Sequence, residues 1–207
     1  AERFYQGQLY CLPAGTPRHS QQTAPLAVEL PDEAVPLWQT LARHRLLFLP
    51  TPIDRGSPTL KTNVHEANRI ADLIEAFEAL YAHNDQPLPA GAIGIITPYR
   101  AQIAQIRDTL YQRNIDPQRY TIDTVERYQG GARDIILISL CTNAPRQLAA
   151  LSSLSTEGVD RKLNVAMTRA REHLVILGAP ELLKASPVYR ALLTHCASPE
   201  STTSAAE

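Results

Sequence analysis

The chain has 207 residues, 44% of them hydrophobic, and a formal net charge of −1. That is room for one large domain with an ordinary core, and too little charge for a broad basic field, so any phosphate binding must come from a local groove. Cys11, Cys141 and Cys196 are odd in number, far apart and without a CxxC pair, which argues against a disulfide framework or a zinc site and for a reducing, cytoplasmic setting.

Residues 1–10, AERFYQGQLY, are aromatic and read as the tail of an interrupted element. The chain begins at Ala1 and holds one methionine, Met167, so a fragment of a longer protein is expected. No signal peptide opens it and no apolar run has membrane-spanning length, so no membrane partner is expected. Residues 11–35 carry Pro13, Pro17, Pro25 and Pro31 among Ser, Thr and Gln, and read as an extended surface segment. Leu46, Leu47, Phe48 and Leu49, closed by Pro50, predict a first buried strand. Ala67, Ile70, Ala71, Ile74 and Phe77 recur at helical spacing and predict an amphipathic helix over 64–82. Asn63 would cap it, with Glu66 completing a capping box.

Residues 93–96 predict the next strand and 100–111 the next helix, with Ile103, Ile106 and Leu110 inward. A short strand over 120–124 and an apolar strand over 134–140 follow. Residues 142–157 are small and polar and read as a long loop. Residues 158–170 predict a helix with Leu163, Ala166, Met167 and Ala170 as its inner stripe and Arg169 on a flank. A strand over 173–178 and short helices from Pro180 and over 187–195 complete the pattern. The tail from 197 is too polar to fold and is expected to be disordered. The apolar runs are nearly continuous, which suits strands buried on both faces. Alternating strands and helices then imply an α/β fold with a mainly parallel sheet and helices on both sides.

Ligands bind such sheets at strand edges, which directs attention to three segments. Arg100 follows the strand over 93–96 through Thr97, Pro98 and Tyr99, where a guanidinium could grip phosphate oxygens in a fork. A surface arginine at a helix start would explain it equally. Gln129, Gly130 and Gly131 permit close backbone approach to a ligand, or form a tight turn. The helix over 158–170 turns only cations and neutral polar groups outward between 161 and 171, among them Arg161, Lys162, Asn164, Thr168 and Arg169, or simply presents a solvated face. No HxxxH, GxSxG or GxxxxGK[ST] spacing occurs, so the chain cannot build an ordinary P-loop nucleotide site alone.

Taken together, these segments resemble the second RecA-like domain of superfamily 1 helicases, in the branch of the nonsense-mediated-decay helicase and the replication helicase–nuclease. ITPYRAQ (96–102) is similar to the family's motif IV region, TVERYQGGARDIILIS (124–139) to motif V, and RKLNVAMTRAREHLVILG (161–178) to motif VI. FYQGQL (4–9) and NVHEANRI (63–70) are supporting matches, and the resemblance covers about residues 1–190. It implies a RecA-like P-loop NTPase fold without its own Walker A, occupying 1–196 as a C-terminal helicase domain, the tail excepted.

By position, Arg169 resembles the motif VI arginine finger that reaches a γ-phosphate, and Arg100 the second γ-phosphate arginine. Tyr99 resembles the aromatic beside the base. Gln129 and Gly130 resemble the turn linking nucleotide state to the nucleic-acid track. Thr124, with Thr97 and Asn164, is placed on the strand-binding side. Ala132 stands where the family usually has a glutamate touching the ribose or the metal shell, and Glu126 where it usually has aspartate. The resemblance implies ATP and Mg²⁺, bound mainly by a first RecA-like domain outside this chain. It also implies single-stranded DNA or RNA as partner and 5′ to 3′ movement, with no metal held here. The isolated chain is expected to be inactive. Two other roles fit the same residues: an interaction module that keeps the fold without catalysis, or a domain serving a neighbouring nuclease.

Overall fold

The computed structural model describes residues 26, 28–128, 131–151, 153 and 160–197. The expectations for 1–10, for most of 11–35, for Gln129 and Gly130 and for the tail beyond Ala197 lie outside these. Five strands form one sheet: β1 (Leu46–Pro50), β2 (Ile93–Ile96), β3 (Thr121–Asp123), β4 (Arg133–Ser139) and β5 (Ala170–Gly178). Their order is β1-β5-β4-β2-β3, and every pairing is parallel. The helices are α1 (Pro36–Arg43), α2 (Val64–His83), α3 (Arg100–Gln112), α4 (Leu148–Leu151), α5 (Arg161–Met167), α6 (Pro180–Leu183) and α7 (Pro187–His195).

The apolar runs are continuous because successive side chains enter two different cores. Leu47, Leu49, Ile93, Ile95, Ile135, Leu137, Val175 and Leu177 pack with Ala67, Ile70, Ile74 and Phe77 of α2 and Ile103 and Ile106 of α3. Their neighbours Phe48, Ile96, Ile136, Ile138, Leu174 and Ile176 pack on the opposite face with Leu163 of α5, Leu183 of α6, and Tyr189 and Leu192 of α7. Buried His173 joins β5 to α1, its Nε2 3.0 Å from the Leu41 carbonyl. Burial holds it neutral, pushing its pKa down to about 4.

Several boundaries differ from the sequence expectation for local reasons. Asn63 does cap α2, its Oδ1 accepting from the Glu66 amide at 3.0 Å. The reciprocal half of the box is absent: the Asn63 amide donates to Gln102 Oε1 at 2.7 Å, and the Glu66 side chain is used elsewhere. The predicted loop 142–157 contains a 3₁₀ turn, Pro145–Gln147, and α4. The predicted helix 158–170 is cut to Arg161–Met167. Asp160 starts it, Oδ1 accepting from the amides of Lys162 at 3.0 Å and Leu163 at 3.2 Å. Thr168 ends it, and β5 begins at Ala170, three residues earlier than expected. Arg169 therefore lies in the turn between α5 and β5, not on a helix flank.

Gly94 is a position where only glycine fits. A Cβ there would collide with the buried Tyr128 ring, hydroxyl first, and with Arg133 Cγ at 3.0 Å. Tyr128 thus crosses β2 at backbone contact. Gly94→Ala is expected to lower unfolding free energy by about 1–3 kcal/mol through overpacking. Adding Tyr128→Phe, which removes the atom nearest that Cβ, should recover part of the loss. Denaturant melts of the two single variants and the double variant measure this, and strict additivity would contradict the contact.

Candidate functional site

Parallel pairing gathers the carboxyl ends of the strands on one edge of the sheet and the amino ends on the other. The seven residues of β4, at about 3.3 Å each, hold those edges ~20 Å apart.

The carboxyl edge receives Thr97, Tyr99, Arg100 and Thr124. Thr97 follows β2 and is buried, its amide donating to the Asp123 carbonyl at 3.2 Å. Its hydroxyl has no partner among the described residues. It lines a small apolar cleft with Pro98, Val125, Leu163 and Tyr189; the ion pair of Lys162 and Glu126, 3.0 Å apart, is part of the wall. Tyr99 sits at the N-cap of α3, and its hydroxyl accepts from Gln147 Nε2 at 3.2 Å. Arg100 opens α3 exposed, with no carboxylate in ion-pair range among the described residues. A cation at a helix N-terminus opposes the macrodipole, so Arg100 does not serve its own helix. Thr124, buried after β3, accepts from the amides of Arg127 at 3.1 Å and Tyr128 at 2.9 Å, which turns the chain back across the sheet.

Beneath this edge lies a polar lattice to which the sequence assigned no site role. Glu66 is fully buried; its Oε2 accepts from Ser139 Oγ at 2.5 Å and from the Cys141 amide at 3.0 Å. Thr51 Oγ1, just after β1, lies 3.5 Å from the other oxygen. Gln102 Nε2 donates to Ser139 Oγ at 3.2 Å and to the Asn63 carbonyl at 3.0 Å. Asn63 Nδ2 donates to Asn143 Oδ1 at 3.0 Å, and Gln147 Oε1 accepts from the Asn143 amide at 2.8 Å. No spacing in the sequence marks these residues as a group, because their partners lie tens of residues away.

The amino edge receives Arg169. Its carbonyl accepts from the Arg133 amide at 2.9 Å, and its Nε donates to the Val165 carbonyl at 3.2 Å. Gly131 and Ala132 adjoin it; Gln129 and Gly130 lie outside the described residues. Asn164 is half-buried within α5, its amide on the Asp160 carbonyl. The structure thus brings Thr97, Tyr99, Arg100 and Thr124 together and sets Arg169 on the far edge. Arg100 and Arg169 do not converge: besides the strand length, two strand spacings separate β2 from β5. Thr124 follows the carboxyl end of β3, Gly131 and Ala132 precede the amino end of β4, and buried Tyr128 lies against Gly94 of β2.

A family model described as an AAA domain matches residues 1–181. Among curated proteins, the chain is 37% identical over 120 residues to "Probable RNA helicase armi" of Drosophila melanogaster, covering 57% of this chain and 10% of that protein. It is 32% identical over 150 residues to "DNA replication ATP-dependent helicase/nuclease DNA2" of Bos taurus, covering 70% and 12%. It is 33% identical over 144 residues to "Regulator of nonsense transcripts 1 homolog" of Arabidopsis thaliana, covering 68% and 11%. The chain thus spans about a tenth of the length of these relatives. A solved C-terminal domain of a possible DNA helicase from Lactobacillus plantarum WCFS1 aligns with TM-score 0.40 at 12% identity, covering 70% of this chain and 83% of that one.

Burial raises the Glu66 pKa from 4.5 to about 7, against the donors that favour its anion. A carboxyl group with a raised folded-state pKa contributes its full stability below the unfolded value and loses it as pH rises toward the folded one. The melting temperature is therefore expected to fall between about pH 5 and pH 8, and Glu66→Gln should flatten that slope. Thermal melts across this range decide it; an unchanged slope in the variant would exclude Glu66 as the source.

Proposed function

This chain belongs to the AAA domain family and is the C-terminal domain of a superfamily 1 helicase, and from that premise we propose that it works as half of an ATP-driven motor. Its amino edge answers a nucleotide held on a first RecA-like domain; its carboxyl edge carries part of a single-strand track. The observation that carries this is that Thr124 stands on one edge and the Arg133 amide bonds the Arg169 carbonyl on the other, with buried Tyr128 packed against both Gly94 and Arg133.

Arg169 is the finger in this scheme. Phosphoryl transfer spreads negative charge over equatorial oxygens, and a guanidinium delivered across a cleft stabilises it. Arg169 suits that role because its charge is not consumed among the described residues: its Nε meets a neutral carbonyl, and none of their ion pairs includes it. Gln129 and Gly130 precede Gly131 in sequence, and the chain reaches Arg169 four residues after Gln129 through the Arg133 amide, which bonds the Arg169 carbonyl. We assign ATP and Mg²⁺ chiefly to the first domain, because the P-loop spacing does not occur in this chain.

With ~20 Å of sheet between the edges, Arg100 and Arg169 cannot share one phosphate group. We therefore give the γ-phosphate to Arg169, and place Arg100 with Thr97, Tyr99 and Thr124 on the strand track, where its exposed fork meets backbone phosphates. Closure on ATP and reopening after hydrolysis would then shift the track relative to the first domain. A fold kept without turnover is the competing role, favoured by the lack of a carboxylate at Ala132.

In the full-length protein, Arg169→Ala should reduce single-turnover ATP hydrolysis with nucleic acid bound by roughly 10³ to 10⁵. Arg169→Lys should restore little, because an ammonium lacks the planar fork. Arg161→Ala, at the start of α5, should cost less. Thermal melts of the same variants should stay near the parent. Turnover that survives Arg169→Ala per folded molecule would remove the finger and leave the non-catalytic role.

A further inference from the structure

Five arginines among the described residues are half-buried: Arg45, Arg69, Arg113, Arg133 and Arg169. Arg45 is neutralised by Glu172 at 2.7 Å, Arg69 by Asp72 at 3.7 Å, and Arg113 by Asp72 and Glu75, each at 2.6 Å. Arg133 and Arg169 have no carboxylate partner among the described residues, and they are backbone neighbours, amide to carbonyl at 2.9 Å. The nearest acid in sequence, Asp134, is engaged by Arg171 at 3.4 Å.

Arg133 is held in place by neutral groups only. Its Nη1 donates to the Ala132 carbonyl at 3.0 Å and its Nη2 to Thr121 Oγ1 at 3.1 Å. The guanidinium carbon lies 5.9 Å from the centre of the Tyr128 ring. Its Nε is buried and has no hydrogen-bond partner among the described residues. A Cβ on Gly131 would stand 2.9 Å from Nη1, so the guanidinium rests directly against the described end of the turn after Tyr128. All these contacts lie at the amino ends of β2, β3 and β4. A neutral side chain of the same length could pack there as well. The positive charge, adjacent to a second unneutralised guanidinium, is left unexplained by the fold, because two such charges repel in a partly dry setting.

We propose that Arg133 is a second cation of the nucleotide edge, binding the polyphosphate of a nucleoside triphosphate beside Arg169; this rests on the assignment of that edge under Proposed function. A polyphosphate supplies the missing counter-charge and acceptors for the donors that Arg133 does not use internally. Its fixed position on Thr121 and Tyr128 makes Arg133 a ground-state contact. It should therefore govern nucleotide affinity more than the chemical step.

The test is steady-state ATP hydrolysis by the full-length protein carrying Arg133→Met, Arg133→Lys or Arg169→Ala, each with a thermal melt. Arg133→Met keeps the length and loses the charge; KM for ATP is expected to rise about tenfold with kcat within about threefold, the signature of lost uniform binding. Arg133→Lys should recover most of that affinity. If Arg133→Met leaves KM unchanged, or Arg133→Lys is as impaired as Arg133→Met, Arg133 is a packing residue and the inference is overturned. If Arg169→Ala abolishes turnover in the same series, only this inference has failed. If Arg169→Ala leaves turnover intact, the nucleotide edge itself is misassigned and both fall together.

Discussion

The carboxylate of Glu66 is the constraint on which the carboxyl edge depends. It sits on α2, yet its acceptors are filled by Ser139 and Cys141 at the end of β4, with Thr51 after β1 close by. A lone charge in such a place is expensive unless donors surround it. Here the donors come from segments far apart in sequence, so the carboxylate is satisfied only when those strand ends and the start of α2 are in register. Gln102 extends the same lattice to α3 through Ser139 and the Asn63 backbone. Asn143 and Gln147 then reach Tyr99. The positions of Thr97, Tyr99 and Arg100 are therefore fixed from below, by groups that need touch no ligand.

The amino edge is built on the opposite plan. Its two half-buried guanidinium groups are held by carbonyls, the Thr121 hydroxyl and aromatic packing, and they find no counter-charge within the described residues. Between the edges stands Tyr128, lying on the backbone of Gly94 with the Arg133 guanidinium beside its ring.

Much of this was legible in sequence, and what was not has physical causes. The five strands and helices α2, α3 and α7 were readable because a doubly covered parallel sheet writes continuous apolar runs and its helices write a 3.6-residue stripe. The end of α5 was not, because Ala170 continues the apolar spacing of Leu163 and Ala166 while belonging to β5. Helix periodicity does not mark where hydrogen bonding passes to a neighbouring strand. That misplaced Arg169 by one element. Gln102, Ser139, Asn143 and Gln147 were invisible as a lattice, because each is a common polar residue whose partners lie tens of residues away. Motif resemblance placed Arg100 and Arg169 together; strand direction separates them, since one follows the carboxyl end of β2 and the other precedes the amino end of β5.

That separation bears on how two ligands could be coupled through one small domain. If both arginines faced one phosphate, the carboxyl edge would have no means of sensing the nucleotide except by bulk movement. With the arginines on opposite edges, the bond between the Arg133 amide and the Arg169 carbonyl becomes a mechanical link. Any shift of Arg169 toward an anion pulls on the start of β4, and with it on Arg133, Tyr128 and the turn at Thr124. The Glu66 lattice resists that pull at the far end of β4, through Ser139.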